Sequence, residues 1–254
     1  MKVLFIGDIY GDEGLDALLN HLPTLKDTYK PNIIIANAEN AANGKGLKLP
    51  QYKKLMSAGV HALTMGNWTF GHQKIKDFID DSNIIRPINL IDAPGYGHRT
   101  IKYNNQTILI INALGKTYMN PHVDNPFSMC KEVLLNSKAD YKIIDFHAEA
   151  TSEKVAFAYF VDGLCDAVVG THTHIQTADE KVLPNKTLYI TDVGMTGPKD
   201  GVIGVDKQTA IQRFLTGYAE HAKTETGDMQ ISGVFLDLDK KHIQRIYLIS
   251  KNTQ

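Results

Sequence analysis

The chain has 254 residues, enough for one large domain or two small ones, and 43% of them are hydrophobic, so a full globular core can form. Its 27 basic and 28 acidic residues give a net charge of −1, and no long basic run occurs, which argues against extended nucleic-acid binding. No run of about 18 apolar residues is present, so we expect no membrane-spanning helix. The first residues predict a strand rather than a signal peptide, and we expect a cytoplasmic protein.

The first half of the chain alternates short apolar runs with helical patterns. Apolar runs bounded by turn residues predict buried strands at 2–6, 32–38, 61–65 and 84–90. Apolar residues at helical spacing predict helices over 12–25, 50–58 and 74–79. This alternation is typical of an α/β domain.

The second half adds hairpins to the pattern. Two hairpins are predicted, at 100–112 and at 230–250. Between them lie three predicted strands and one helix: 141–146, 167–169 and 187–190 as strands, and 154–161 as a helix. The sequence therefore predicts one α/β domain over residues 1–254, with sheets that are partly parallel and partly antiparallel.

The cysteines and one histidine offer no functional motif. Cys130 and Cys165 are the only cysteines. Two cysteines in a chain of this length make no disulfide scaffold, and their spacing fits no zinc motif. We interpret both as free thiols without a functional role. His221 has no motif around it, and we assign it no role.

Two histidines follow the strand predicted at 167–169. Gly170 allows a tight turn, so His172 and His174 can both be presented at the end of that strand. Neutral imidazole is a common ligand of mid-series metals. Alone, such a short motif also fits two loop histidines hydrogen-bonded to backbone or water.

Four other strands end in the same kind of residue. Ligands of open α/β sheets bind beyond the carboxyl ends of the strands. Here those ends carry only Asp, Glu, Asn and His: Asp8, Glu39 with Asn40, Asn67, His147, and His172 with His174. These are too many ligands for one zinc ion, and they suit two first-row metals that share a carboxylate and a water. Two such ions generate hydroxide and clamp phosphoryl oxygens, so we predict hydrolysis of a phosphate ester.

The motifs Gly7-Asp8, Gly66-Asn67 and Gly170-Thr171-His172-Thr173-His174 resemble those of the calcineurin-like metallophosphoesterases. Longer segments resemble the YmdB-like bacterial branch of that superfamily: 38–46, 145–153 and 190–198. The likeness runs from Met1 nearly to the C-terminus. It implies a sandwich of two β-sheets flanked by helices (α/β/β/α), and hydrolysis of cyclic nucleotides, notably 2′,3′-cyclic monophosphates.

The resemblance also implies a dinuclear centre, with iron as the first expectation and manganese or zinc as alternatives. The two implied ligand sets share a bridging Glu39: Asp8, Asn40 and His174 for one metal, and Asn67, His147 and His172 for the other. The superfamily usually has a His two residues after the first Asp. Here that residue is Tyr10, and Asn40 fills the gap as it does in the branch.

The chain departs from the family at Trp68, which replaces the His of a Gly-Asn-His motif. That His lies beside the metals and helps to position or protonate the phosphate, whereas indole cannot supply a proton at neutral pH. We assign Asn67 and Trp68 to the catalytic position and expect attenuated turnover. Trp68 fits equally well a core-packing residue or a ring that stacks on a base. His72 and His98 are candidate replacement acids, although an ordinary surface or hydrogen-bonded histidine explains each more simply.

Other small residues have two interpretations. Gly44 and Gly46 either shape a turn or let backbone amides approach an anion of the substrate, the turn being the simpler interpretation. Thr151 and Ser152 are expected to cap the helix that follows them, with Glu153 in its first turn.

We expect the partner to be a small phosphodiester or nucleotide, and the family resemblance suggests self-association. Two alternatives stay open at this point. One is a phosphomonoesterase with the same metals, and the other is a metal- or nucleotide-binding regulator with weak turnover.

Overall fold

Two β-sheets lie face to face in the computed structural model of this chain, which describes residues 1–218 and 223–251. His221 lies outside these residues. In chain order the strands of the described part are β1 (Lys2–Ile6), β2 (Asp8–Ile9), β3 (Ile33–Asn37), β4 (Ala62–Thr64), β5 (Ile84–Ile85), β6 (His98–Tyr103), β7 (Gln106–Leu114), β8 (Tyr141–His147), β9 (Ala167–Thr171), β10 (Lys181–Val182), β11 (Leu188–Ile190), β12 (Met195–Pro198), β13 (Met229–Asp237) and β14 (His242–Ser250). The helices are α1 (Gly11–Tyr29), α2 (Leu49–Ser57), α3 (Pro126–Asn136), α4 (Thr151–Phe160) and α5 (Lys207–Thr216), with a short 3₁₀ helix at Gln73–Asp77.

Both sheets combine parallel and antiparallel pairs, as predicted. In the first sheet β1, β3, β4 and β5 are parallel, and β13 runs antiparallel between β1 and β14. The short strands β2 and β12 extend this sheet. In the second sheet β7, β8, β9 and β11 are parallel, with β6 and β10 antiparallel at its two edges. Parallel strands present their carboxyl ends at one edge of a sheet, where ligands can bind.

Side chains alternate between two faces along the central strands. On β1, Val3 and Phe5 pack in the core between the sheets, whereas Leu4 belongs to the cluster that α1 and α2 cover. On β8, Ile143 faces the core between the sheets and Ile144 faces α3 and α4. Burial on both faces explains why these strands are continuous apolar runs in the sequence. The predicted α/β/β/α sandwich is confirmed.

The structure corrects two predicted elements in the first half of the chain. The strand predicted over 84–90 is only two residues long, and Pro87, the second residue after its end, has no amide hydrogen to continue the ladder. The helix predicted over 74–79 is the 3₁₀ helix Gln73–Asp77.

Two helices were not predicted from the sequence. α3 begins with Pro126 in its first turn, and the Asn125 side chain caps it by accepting a hydrogen bond from the Phe127 amide. Both are standard start signals that could have revealed the helix. In α5 only Ala210 is buried, so no apolar stripe marks this helix.

The predicted caps of α4 are wrong. Its cap position is Ala150, whose side chain makes no capping hydrogen bond, and the helix starts at Thr151. Glu153 does lie in the first turn, but its carboxylate accepts hydrogen bonds from the backbone amides of Lys116 and Thr117. It therefore ties a neighbouring loop to the helix.

Within the described ranges, none of the helices combines the length and apolar character that crossing a bilayer requires. Cys130 and Cys165 are both buried free thiols, as the sequence predicts.

Candidate metal centre

The two sheets bring the predicted ligands to one place. Asp8 follows β1, Glu39 and Asn40 follow β3, and Asn67 follows β4, all from the first sheet. The second sheet supplies the histidines, with His147 at the end of β8 and the other two after β9. Those other two are His172 and His174. The strand ends of the two sheets therefore face each other across the site.

One predicted ligand set converges closely. His147 Nε2 lies 2.9 Å from Glu39 Oε1, 3.1 Å from Asn67 Oδ1 and 3.0 Å from His172 Nδ1. One donor atom each from Glu39, His147 and His172 lies within 4.8 Å of the others. The structure thus assembles all four side chains that the family resemblance implies for one metal.

The other predicted set is looser. His174 Nε2 lies 3.2 Å from Asn40 Oδ1, and Asp8 Oδ2 accepts a hydrogen bond from the His172 amide at 3.3 Å. Asp8 Oδ1 lies 3.8 Å from His147 Nδ1, and this buried oxygen has no hydrogen-bond partner in the described part of the chain. A buried carboxylate oxygen without a partner is costly, and a cation would relieve that cost.

Each histidine has a hydrogen-bond partner on the nitrogen that points away from the site. His147 Nδ1 lies 2.8 Å from Thr171 Oγ1, whose own hydrogen goes to Asp145 Oδ1 at 2.7 Å. Thr171 must then accept from His147 Nδ1–H, so Nε2 keeps a free lone pair.

The same reasoning fixes the other two rings. His172 Nε2 faces the Glu149 carboxylate at 3.2 Å, and His174 Nδ1 faces the Ile203 carbonyl at 2.9 Å. Both partners can only accept, so each of these nitrogens carries the hydrogen. The inward nitrogens are therefore all lone-pair donors, and they face amide and carboxyl oxygens, which also offer lone pairs once the carboxyl groups are ionised. Such a cluster fits a cation.

Burial holds the imidazoles neutral. Burial lowers the pKa of His147 to about 4 and that of His172 to about 3, and it also lowers the pKa of His174. A metal binds the neutral ring, so all three are in the binding form at neutral pH.

Burial acts in the opposite direction on the carboxyl groups. It raises the pKa of Asp8 to about 7, partly countered by His147, and it raises the pKa of Glu39 to about 7, partly countered by the hydrogen bond from the Trp68 amide. Both groups thus become stable anions near neutral pH only when a positive charge is close.

The backbone leaves room for this cluster at Gly66. A Cβ atom at that position would collide with His147 Nε2 and with Glu39 Oε2. The residue before Asn67 must therefore be glycine for the donors to converge. Together with the unpaired Asp8 oxygen and the inward lone pairs, this shows that the residues present suit bound metal ions.

A buried ion pair supports the histidine loop from behind. The Lys154 ammonium is 1% exposed and donates to Asp192 Oδ2 at 2.7 Å and to the Thr171 carbonyl at 2.8 Å. Asp192 also accepts from the Thr173 and Gly194 amides. The sequence analysis missed these roles, because a lysine in a helix gives no signal that it is buried.

Comparison with known proteins identifies the family of this chain. The family model of the YmdB-like protein matches residues 4–249. The chain belongs to the YmdB-like family. The family membership inferred from the sequence motifs is thereby confirmed.

Individual relatives agree with that assignment. A Bacillus subtilis protein named 2′,3′-cyclic-nucleotide 2′-phosphodiesterase is 46% identical, over 94% of this chain and 92% of its own length. The crystal structure of a Mycoplasma pneumoniae protein described as a novel phosphatase superposes with a TM-score of 0.93 at 37% identity, over 100% of this chain and 95% of that one. A Haemophilus influenzae NAD nucleotidase, 12% identical with a TM-score of 0.56 over 99% of this chain and 55% of that one, shares the fold alone.

Trp68, the departure from the family motif, lies at the rim of the site. Its amide donates to Glu39 Oε2 at 2.8 Å, and its side chain is 37% exposed. The core-packing interpretation is therefore wrong. The Lys45 ammonium lies over the indole ring, 4.4 Å from its centroid.

Gly44 and Gly46 form a tight loop, and their amides are already used. The Gly44 amide donates to the Asn40 carbonyl at 2.9 Å, and the Gly46 amide donates to the Glu39 carbonyl. The geometry thus favours the plain turn over an anion-binding loop. A Cβ on Gly46 would press on the backbone of His72, and one on Gly44 would collide with the Tyr10 hydroxyl.

The two candidate replacement acids line other cavities. The cavity around His72, of about 420 Å³, is formed with residues of α2 and of the 3₁₀ helix. His98 borders a cavity of about 530 Å³ between β6 and α3. Neither cavity contains a predicted metal ligand, so the structure supports neither histidine as a proton donor in the site.

Proposed function

We propose that this chain is a metal-dependent phosphodiesterase that acts on small phosphodiesters, foremost 2′,3′-cyclic nucleotides. The observation that carries the proposal is the convergence of donor atoms from both sheets, in which Glu39, Asn67 and His172 each place one about 3 Å from His147 Nε2. The name of the Bacillus subtilis relative supports the substrate class.

Two metal ions would be held by the two ligand sets that share Glu39. The mixture of oxygen and nitrogen donors suits first-row metals, with iron proposed first and manganese or zinc as alternatives. When bound, such ions supply a hydroxide nucleophile at neutral pH and neutralise phosphoryl charge.

The side chains around the ligands keep them in the binding form. Thr171 and Asp145 fix the tautomer of His147, and Glu149 does the same for His172. The Trp68 amide orients the Glu39 carboxylate. Partners of this kind raise ligand basicity and hold ring orientation.

Proton transfer to the leaving group is the step that this chain supports least. An indole N–H cannot protonate a ribose alkoxide at neutral pH, whereas nitrophenolate leaves without a proton. We therefore propose slower turnover of cyclic nucleotides than of activated diesters. The second candidate function is that of a nucleotide-binding regulator, in which nucleotide binding survives while turnover is very slow.

We also propose that the protein acts in the cytoplasm, on small molecules rather than long nucleic acids, and that it self-associates. Two buried free thiols suit a reducing compartment. The nearly balanced net charge also gives little long-range attraction for a polyanion.

The test is a set of parallel assays on metal-loaded protein. The substrates are bis(4-nitrophenyl) phosphate, 4-nitrophenyl phosphate, and 2′,3′- and 3′,5′-cyclic nucleotides. We expect the activated diester to be hydrolysed fastest and the 2′,3′-cyclic nucleotides to be hydrolysed faster than the 3′,5′ isomers. Preference for the monoester would instead make the protein a phosphomonoesterase.

A matched pair of variants links the activity to the site. Glu39→Gln removes the shared carboxylate, and Glu132→Gln removes an exposed carboxylate on α3. Replacing a residue that only supports a metal ligand typically lowers activity by up to about 100-fold. We expect Glu39→Gln to lower the hydrolysis rate by more than this. Glu132→Gln should keep full activity. Equal activity of both variants would contradict the proposal.

A further inference from the structure

Lys45 and Trp68 form an exposed pair at the rim of the site. The Lys45 ammonium lies 4.4 Å from the centroid of the indole ring, within the range of a cation–π interaction. The ring is 37% exposed, although indole is usually highly buried. Trp68 is also the only tryptophan of the chain. An exposed, charged aromatic pair next to a metal centre needs a physical explanation.

Both members are tied to the metal-binding residues through the backbone. The Trp68 amide donates to Glu39 Oε2 at 2.8 Å, so the indole projects from a point fixed on that carboxylate. Lys45 follows Gly44, whose carbonyl accepts from the Asn40 side chain at 2.9 Å and whose amide donates to the Asn40 carbonyl. The pair therefore keeps a fixed position relative to the site.

Gly46 lets the two segments approach. A Cβ at this position would lie 2.7 Å from the His72 amide nitrogen, closer than real Cβ contacts. Its φ of +80° is also in the region that favours glycine. This close approach brings the loop of Lys45 against the segment that carries Trp68.

The charge of Lys45 is not neutralised by the protein. Among residues 1–218 and 223–251 no carboxylate lies within ion-pair distance of its ammonium, whereas Lys54 and Lys199 each have one. A cation–π contact leaves the ammonium hydrogens free to bind an anion. An aromatic ring beside a free cation matches the two parts of a nucleotide, a planar base and a phosphate.

We propose that Trp68 and Lys45 form a nucleotide-binding subsite, in which the indole face that Lys45 leaves uncovered stacks on the nucleobase and the Lys45 ammonium binds the phosphate. The inference rests on the proposed function, since it names what holds the substrate at that site. It assigns Trp68 to binding, so replacing it should affect KM, whereas a lost proton donor affects kcat.

The fluorescence of Trp68 can report on binding, because selective excitation of tryptophan observes this residue alone. The probes are adenosine 3′-monophosphate, adenosine and inorganic phosphate, titrated into the metal-loaded full chain. We expect adenosine 3′-monophosphate to change the emission saturably and to bind more tightly than either fragment. If calorimetry shows that adenosine 3′-monophosphate saturates the protein but the tryptophan emission does not change, the inference is overturned.

Lysine variants test the division of roles. Lys45→Met should raise the Kd of adenosine 3′-monophosphate about tenfold, the scale of a hydrogen bond to a charged group, and leave the Kd of adenosine unchanged. Lys45→Arg should restore the affinity. The control is Lys131→Met, which removes the cation of a second pair, over Phe160 at 5.3 Å, and should change nothing. An unchanged nucleotide Kd in Lys45→Met would overturn the role of Lys45.

Kinetics separate this inference from the proposed function. Trp68→Leu should raise KM for a cyclic nucleotide about tenfold, the scale of base stacking, with kcat little changed. If the wild type hydrolyses diesters but neither variant changes Kd or KM, the subsite is wrong and the function stands. If no diester is hydrolysed while the Lys45-dependent binding persists, the function is wrong and the subsite stands.

Discussion

The two halves of the metal centre are held in different ways. The oxygen half, which comes from the first sheet, consists of Asp8, Glu39, Asn40 and Asn67. Backbone groups fix much of it, such as the amides of Trp68 and His172 and the carbonyl of Gly44. The imidazole half, from the second sheet, consists of His147, His172 and His174. Buried side chains support His147 and the loop after β9: Asp145, Thr171, Lys154 and Asp192.

Burial acts on the two halves with opposite sign. It raises the pKa of Asp8 and of Glu39 to about 7, and it lowers that of His147 to about 4. In each case the uncharged form is favoured, because charge is poorly solvated in the interior. A bound cation needs neutral imidazoles and stabilises carboxylate anions, so one ion satisfies both halves.

The largest expected effect comes from breaking the support of the imidazole half. Lys154→Met leaves the buried Asp192 carboxylate without its cation, which should cost about 3–5 kcal/mol of unfolding free energy. Denaturant unfolding measures this. The control Lys241→Met breaks a partly exposed pair with Asp166 and should cost below about 1 kcal/mol. Equal losses of unfolding free energy in the two variants would contradict the stabilising role of the buried ion pair.

A milder change tests the tautomer of His147. Asp145→Asn removes the carboxylate that accepts the Thr171 hydroxyl hydrogen. The Thr171 hydroxyl can then donate to His147 Nδ1, which favours the tautomer with the hydrogen on Nε2 and removes the lone pair that would bind metal. We expect metal affinity to fall about 10–100-fold, as for other residues that orient a metal-ligating histidine. Metal titration measures it, with the exposed Asp140→Asn as control. Wild-type affinity in Asp145→Asn would mean that the oxygen half alone decides metal binding.

The oxygen half should govern the pH dependence of metal binding. Below pH of about 7 Asp8 and Glu39 are protonated in the metal-free protein, and each must lose its proton to bind a cation. Affinity should therefore fall as pH drops below about 7, about tenfold per pH unit for each proton released. The histidines, with pKa values of about 3–4 for two of them, add nothing until the solution is far more acidic.

Calorimetric metal titration in buffers of different ionisation enthalpy counts the released protons. Unperturbed histidine ligands would instead place the fall near their usual pKa of about 6.5. Binding at pH 6 without proton release would contradict the role of the carboxyl groups.

The smallest effect concerns the missing proton donor. Trp68→His should raise kcat for cyclic nucleotides about tenfold, the low end of general-acid contributions, and should change hydrolysis of bis(4-nitrophenyl) phosphate much less. KM should rise because the stacking ring is lost. Because the substitution also leaves space where the indole was, a folding control is needed. No gain in kcat for any cyclic nucleotide in a folded, metal-loaded variant would reject the missing-acid explanation.

The sequence predicts where the candidate ligands lie, because each follows a strand with two buried faces. Such strands are continuous apolar runs, and Asp8, Glu39 and His147 come at the ends of these runs. The two-sheet sandwich is what the family motifs imply, whereas the mixture of βα units and hairpins predicts an α/β domain with partly parallel and partly antiparallel sheets. Helix α5 could not be found in this way, since Ile211 and Phe214 on it are exposed and mark no core-facing stripe.

The supporting residues were harder to predict for a different reason. Lys154 and Asp192 are charged, and charged side chains are rarely buried unless they are paired across the fold. A pairing over 38 positions leaves no local pattern. The same holds for Thr171 and Asp145, whose hydrogen bond joins neighbouring strands of the second sheet.

The most direct test of the two-half centre is the number of metal ions per chain. Elemental analysis of protein purified without chelator, and again after reloading with iron, manganese or zinc, should find about two ions per chain. Glu39→Gln should lower occupancy of both positions, and Asn67→Ala that of mainly one. One ion per chain, retained in Glu39→Gln, or no ion after reloading well-folded protein, would contradict the account.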